Sequence, residues 1–265
     1  MKVILEEADP CFLAASYLKR CLKFSGGKMV LGLPTGGTFE NFYKYLVDFY
    51  NKGEISFKDV ITFNLDEYLG ISASNAQSYR YYMRQRLFSK VDIKEENIHF
   101  PDACAEDFDK ACQDYEAAII AAGGIDLLFG GLGRNGHIAF NESGTPFESL
   151  THRVELAPST IKANARFFNG DTDLVPHFAL TMGIGTILKS REVIILACGE
   201  SKADAVWHAV QGNITTAWPV TALRKHSNSF IVADGKALSL VSKNLLAEYQ
   251  NCSLGQGCLK GENRQ

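Results

Sequence analysis

A few short segments of this sequence concentrate the groups that move protons or hold anions. Asp66 is followed directly by Glu67. Neighbouring side chains at a strand end point apart, so only one of the two can face a crevice. Partly buried there, it would be a general base with a raised pKa. Asn135, His137 and Glu142 share one Gly-rich turn. A histidine titrates near operating pH, and a carboxylate beside it orients the ring and stabilises its charged form. Pro34-Thr35-Gly36-Gly37-Thr38 joins paired glycines, two hydroxyls and a following helix start, a combination that lets backbone N–H groups approach a phosphate. Lys202, in the first turn of a later helix, opposes the helix dipole unless an anion sits between them. Arg166, beside Phe167 and Phe168, supplies a guanidinium suited to bidentate phosphate contact. Each has a blander reading: a helix cap at Thr38, a solvated acidic pair, a hydrogen-bonded structural histidine, solvated surface cations.

Several other chemistries are excluded by what surrounds these residues. No Lys follows the glycines after Pro34 as a Walker loop requires. Gly131-x-Gly133-x-x-Gly136 matches the dinucleotide fingerprint, but the chain continues His137-Ile138-Ala139-Phe140-Asn141-Glu142 without a helical period. Nicotinamide and flavin binding are therefore rejected. No His/Cys cluster has zinc spacing, no G-x-S-x-G elbow is present, and no cysteine is expected in the strand-end loops. What remains is proton-shuttling chemistry on a small phosphorylated metabolite.

The elements that must position these groups follow from hydrophobic pattern. Short apolar runs at Met29–Leu33, Asp59–Leu65, Ile125–Phe129, Val193–Ala197 and Ser229–Ala233 read as strands. Helical patterns run over about 11–24, 38–51, 76–88, 106–121, 178–188 and 201–211. Strands separated by helices imply crossover connections, hence a doubly wound, Rossmann-like α/β fold with a mostly parallel sheet and helices on both faces. Ligands in such folds bind beyond the carboxyl ends of the strands, where the segments above fall. The chain of 265 residues is expected to form one domain, with residues 143–177 as a lid and a mobile tail from about 251 to 265.

Composition removes further classes. Lys and Arg number 27 against 30 Asp and Glu, a net charge of −3, so no basic surplus serves nucleic acid. No apolar run approaches the ~20 residues of a membrane span. Residues 1–10 carry Glu6, Glu7 and Asp9 where a signal peptide would be basic and then apolar. The seven cysteines are scattered without a C-x-x-C pair, and Cys198 reads as a buried small hydrophobe. A reducing, cytoplasmic location is expected.

Taken together, LGLPTGG, TFNLDEYLG, GLGRNGHIAFNE and ANARFF closely resemble the glucosamine-6-phosphate deaminase family, in the family's order over about residues 28–235. The resemblance implies aldose–ketose isomerisation with loss of the amine, giving fructose 6-phosphate and ammonia with neither an organic cofactor nor a metal. It implies that His137 opens the sugar ring with support from Glu142 and that Asp66 moves the C2 proton to C1. Thr35, Gly36, Gly37, Thr38, Arg166 and Lys202 would hold the phosphate. Asn135 stands where some members carry Asp, so it can hydrogen-bond the histidine but adds no charge. Allosteric members bind N-acetylglucosamine 6-phosphate through basic residues in the stretch after Phe-Asn-Glu. Here that stretch has Thr145, His152, Val154 and Glu155, and weak or absent activation is expected. The expected partner is a small amino-sugar phosphate, with galactosamine 6-phosphate as the alternative to the glucosamine epimer. Self-association stays open, because members range from hexamers to smaller forms. A 6-phosphogluconolactonase-like hydrolase is the rival enzyme. A sugar-sensing transcription regulator is disfavoured by the acidic charge and by the lack of a helix-turn-helix module before residue 28.

Overall fold

The computed structural model describes residues 1–249 and 252–254. Its main sheet contains β1 (Lys2–Leu5), β2 (Val30–Leu33) and β3 (Ile61–Asn64). A short β4 (Asp66–Tyr68) leaves that sheet immediately, before β5 (Ile98–His99) and β6 (Leu127–Gly131) return to it. Then come β7 (His152–Glu155), β8 (Phe178–Thr181), β9 (Glu192–Ala197) and β10 (Ser229–Ala233). Seven strands in the order β1-β10-β9-β6-β2-β3-β5 form an all-parallel sheet. The strands β4, β8 and β7 form a separate antiparallel sheet.

Helices α1 (Pro10–Phe24), α2 (Phe39–Asn51), α3 (Tyr79–Arg86) and α4 (Phe108–Ala121) alternate with the early strands. They are followed by α5 (Pro158–Asn164), α6 (Ile184–Leu188), α7 (Ala203–Val210) and α8 (Lys243–Tyr249). The period-2 alternation of strand side chains feeds two cores. Leu31, Phe129, Ile194 and Leu196 pack with α1 and α2 on one face. Leu128, Val193, Ile195 and Ala197 pack with α4 and α7 on the other. The result is the doubly wound single domain expected from the pattern.

The differences lie where pairing is distant in sequence. The helix expected over 178–188 is instead strand β8 followed by the short α6. Its apolar residues are buried because β4 and β7 flank the strand, and periodicity alone does not separate a short buried strand from a helix. Gly183 marks the break. A Cβ there would lie 2.2 Å from the carbonyl oxygens of Ser149 and Leu150. The edge strands β1 and β5 and all three strands of the small sheet carry no strand assignment from the sequence, β8 falling within the expected helix. Residues 143–177 are not featureless: β7 and α5 lie within them. Leu156, Ala165, Phe168 and Val175 pack with Tyr68, Phe140 and Ala179 into a small core of their own. Most of the expected mobile tail lies outside the described residues, although Leu254 within it is buried and its carbonyl accepts from Arg20 (2.5 Å). Among the described residues no helix is long and apolar enough to cross a membrane.

Candidate active site

The strands β9, β6, β2 and β3 are consecutive neighbours. Their carboxyl ends therefore deliver Cys198–Lys202, Leu132–His137, Pro34–Thr38 and Leu65–Asp66 to one edge of the sheet. Connections from β2 run outward through β3 and β5, whereas β6 lies on the other side of β2. The crevice at such a switch point is where this fold binds ligands.

At the end of β2, Tyr43 Oη donates to the Pro34 carbonyl, and Tyr82 Oη donates to that of Gly36 (3.0 Å). A trans peptide carries its N–H opposite its C=O. Holding these carbonyls thus turns the N–H groups of Thr35 and Gly37 the other way, and neither finds an acceptor among the described residues. Gly36 has φ +105°, and a Cβ on Gly36 or Gly37 would meet nothing within 4 Å. The loop is open on the side where an anion would dock. Thr38 occupies the N-cap position of α2 with helical backbone angles and makes no side-chain cap bond, so the capping explanation fails and its hydroxyl is available.

Lys202 ends a tight turn (Glu200–Lys202) set by Gly199, whose N–H donates to Asp234 (2.8 Å). Its Nζ donates to the Leu132 carbonyl at 2.5 Å, which bridges the β9 and β6 loops. Burial, then the charges of Arg134 and Arg166, bring its pKa down to about 8. Arg166 follows α5, exposed, with its guanidinium over the Phe167 ring at 4.6 Å. The charges of Arg134 and Arg166 both act on Lys202, and such a group of cations would favour an anion. Arg134 belongs to this group, and the sequence reading gave it no role. Its position inside the Gly-rich turn, one residue before Asn135, was the available signal. Cys198 corrects another expectation: it is half-buried, a free thiol at the exit of β9. Cys11 Sγ donates to the Thr38 carbonyl (3.1 Å).

In the β6 turn, His137 packs on Gly133, where a Cβ would come within 2.4 Å of its ring. His137 Nδ1 lies 3.7 Å from Glu142 Oε2, an ion-pair distance longer than a hydrogen bond. Asn135 Nδ2 donates to the same oxygen (2.9 Å), and the Asn135 Oδ1 accepts weakly from the His137 N–H (3.4 Å). Glu142 Oε1 accepts from the Thr160 hydroxyl of α5. Against the opposing effect of burial, these partners hold Glu142 down at about 2. Thr160 was not foreseen, since eighteen residues separate it from Glu142 with no motif between.

Asp66 sits at the junction between the two sheets. Leu65 N–H donates to Leu33 O in the large sheet, while Asp66 pairs with Thr181 in the small one. Thr181 Oγ1 accepts from Phe140 N–H (3.0 Å), and Asn141 Nδ2 donates to Met182 O (2.8 Å). Through β8, the histidine turn and Asp66 are thus fixed to each other. Glu67 points away and accepts the N–H groups of Tyr79 and Arg80 at the start of α3 (2.9 Å each). That leaves Asp66, 7% exposed, as the carboxyl at the sheet edge not engaged with α3. Burial, then the neighbouring Glu67, push its pKa up to about 8. Among the described residues no group of three or more His, Cys, Asp or Glu is arranged to hold a metal.

A family model described as glucosamine-6-phosphate isomerases/6-phosphogluconolactonase matches residues 13–232. The glucosamine-6-phosphate deaminase of Clostridioides difficile (strain 630) is 50% identical over 210 residues, 79% of this chain and 84% of that protein. Glucosamine-6-phosphate deaminase 2 of Bacillus subtilis (strain 168) is 45% identical over 240 residues, covering 89% and 96%. The chain belongs to the glucosamine-6-phosphate deaminase family. A solved monomeric glucosamine-6-phosphate deaminase superposes with a TM-score of 0.87 at 41% identity, covering 91% of this chain and all of that one. The 6-phosphogluconolactonase from Trypanosoma cruzi shares the fold (TM-score 0.72, covering 91% and 97%) at only 21% identity. Within the deaminase family the matched span contains every sequence-predicted site residue, from Thr35 to Lys202.

Proposed function

We propose that this chain converts glucosamine 6-phosphate and water to fructose 6-phosphate and ammonia, with Asp66 as the base that moves a proton between C2 and C1. The observation carrying this reading is a buried carboxyl, Asp66, raised to about 8 with no cation to neutralise it. Lactone hydrolysis needs no base at a sugar C2, so that rival leaves Asp66 without a task.

The phosphate docks on Thr35, Gly36, Gly37 and Thr38 with Lys202, Arg166 and Arg134 around it, which places the rest of the sugar over the sheet edge. His137 takes the proton from O1 and returns it to O5, opening the ring. Glu142 stabilises the imidazolium during this transfer. The substrate ammonium next to Asp66 favours its ionised form. Asp66 then removes the C2 proton while the ammonium gives up a proton to O1, leaving an enolamine, and Asp66 delivers its proton to C1. Water adds to the resulting C2 iminium and ammonia departs. Residues 143–177 act as a lid over this site, a role supported by the Thr160–Glu142 bond and by Arg166, both within that segment. All these groups come from one chain, so each subunit of a homo-oligomer would carry a whole site. A cytoplasmic location is supported by the six described cysteines, all of them free thiols.

Incubation with glucosamine 6-phosphate should release ammonia and fructose 6-phosphate in equal amounts. In deuterated water, label should enter C1 of the product to the extent that the proton held on Asp66 exchanges with solvent before delivery. Turnover of the galactosamine epimer alone would move the substrate to that sugar. Hydrolysis of 6-phosphogluconolactone without ammonia release would replace the reading.

A further inference from the structure

The loop that carries His137 and Glu142 is gripped at both ends by a single segment, residues 215–221. Gly136 immediately precedes His137. A Cβ on it would come 2.6 Å from Cε3 of Trp218 and 3.4 Å from Cζ3, so the indole is seated directly against the Gly136 backbone. Gly136 has φ +78°, accepts the Val220 N–H (2.9 Å) and donates to the Gly133 carbonyl (3.0 Å). At the other end, Gly144, two residues past Glu142, donates to the Thr216 carbonyl (2.8 Å).

The segment is itself rigid. The Thr221 hydroxyl, fully buried, accepts from Thr215 N–H (3.0 Å) and lies 2.7 Å from the Trp218 carbonyl. The Trp218 indole stacks on His208 of α7, centroids 3.7 Å apart and planes 12° from parallel. His208 is in turn braced edge-on by Trp207 (4.8 Å). An indole has only two side-chain torsions and a flat, extended contact area, so a stacked tryptophan transmits position with little play.

We propose that Trp218 is a positioning residue for ring opening: wedged between His208 and Gly136, it sets the backbone from which His137 reaches Glu142. This rests on the deaminase reading for the step affected, while the placement itself stands on geometry alone. The His137–Glu142 separation is already 3.7 Å, so a small retreat of the Gly136 backbone weakens the pair. Misplacement of a catalytic group by ~1 Å costs up to about 100-fold in rate. The phosphate loop at Thr35–Thr38 makes none of these contacts. The loss should therefore fall on kcat and spare KM.

The test uses the full-length enzyme with glucosamine 6-phosphate. Trp218→Ala is expected to lower kcat about 10- to 100-fold with KM within about twofold of the wild type. Trp218→Phe, which keeps a ring against both neighbours, should recover most of the loss. Histidine ring 15N resonances of the substrate-free protein should show the His137 signal displaced in Trp218→Ala and restored in Trp218→Phe. Should Trp218→Ala fail to fold, His208→Ala removes the brace while leaving Trp218 in place, and a threefold to tenfold fall in kcat is expected. A kcat within twofold of the wild type in the folded variant overturns the proposal. So does a loss carried equally by KM, or an unmoved His137 signal. If the wild-type protein turns over none of this sugar, the substrate reading falls, and the ring resonances still decide the placement of His137.

Discussion

Asp66 and Glu142 are carboxylates of nearly equal exposure, 7% and 8%, in two regions that treat charge in opposite ways. Asp66 opens β4 among buried phenols, including Tyr43 and Tyr79, with no cation beside it. Its proton is retained up to about 8. Glu142 lies in a polar turn where His137, Thr160 and Asn135 all favour the anion, and it ionises at about 2. Burial is common to both, so the partners decide the outcome. A pair of carboxyls pushed apart in this way separates a proton acceptor that cycles from a fixed negative charge that does not.

The most damaging way to break the contrast is Asp66→Asn. Loss of the base should lower kcat about 100- to 10,000-fold with little change in KM, and C1 labelling should vanish. Stability should move the other way. In the folded protein Asp66 stays protonated to about 8, whereas the unfolded chain ionises it above 3.8. Its presence therefore costs stability increasingly as pH rises between those values, and Asn removes that slope. Urea unfolding should show Asp66→Asn gaining on the order of 3 to 5 kcal/mol between pH 4 and pH 8 relative to wild type. A gap that stays constant with pH would contradict the raised pKa.

Glu142→Gln removes the fixed charge. A fall in kcat of about 10- to 100-fold is expected as His137 loses its counter-ion. Because the folded pKa of Glu142 is depressed, its stabilisation is present above 4.5 and lost as pH falls through about 2. The variant should consequently be less stable at neutral pH by up to about 3 kcal/mol and level with wild type at the acid extreme. Thermal melts across that range check the sign.

The pH dependence sharpens the comparison without altering either carboxyl. On the proposed mechanism the free enzyme needs Asp66 without a proton that it loses near 8, and Lys202 with one that it also loses near 8. The profile of kcat/KM should have a narrow maximum close to that pH. Lys202→Arg keeps its charge and should extend the alkaline side, raising relative activity well above pH 8 by about tenfold.

Legibility from the sequence followed the range of the interactions. Thr35–Thr38, Asn135, His137 and Glu142 lie in compact runs after parallel strands, where glycine spacing and strand ends are visible locally. Asp66 was legible as a strand-end acid, but its isolation was not. That depends on Glu67 turning to cap α3 and on β4 pairing with β8, a strand more than a hundred residues away. The same remoteness hid β8 itself and left Thr160 unmarked. Lys202 and Arg166 were readable as cations, whereas their convergence with Arg134 required the folded chain.

Smaller effects probe the outer supports. Thr160→Val removes one donor from Glu142 and should cost about 1 kcal/mol, with kcat down a few-fold. N-acetylglucosamine 6-phosphate should change the rate by less than about twofold, because the stretch after Glu142 offers little positive charge. Its Arg153 is engaged over the Phe178 ring at 4.2 Å. Rates measured with and without that ligand decide this, and strong activation would contradict it.

The pairing of Asp66 with Thr181 also imposes an order on biosynthesis. A growing chain that has emerged through α4 already holds the phosphate loop and its tyrosine supports, yet its future base has no partner strand. Only after residue 181 is made can β4 be completed, and Lys202 follows about twenty residues later. At synthesis rates of about 5–20 residues per second, several seconds pass between the completion of α4 and that of Lys202, and the site is incomplete throughout. The histidine turn, the completed β4 and Lys202 can therefore come together only late in synthesis, after β9 has been made.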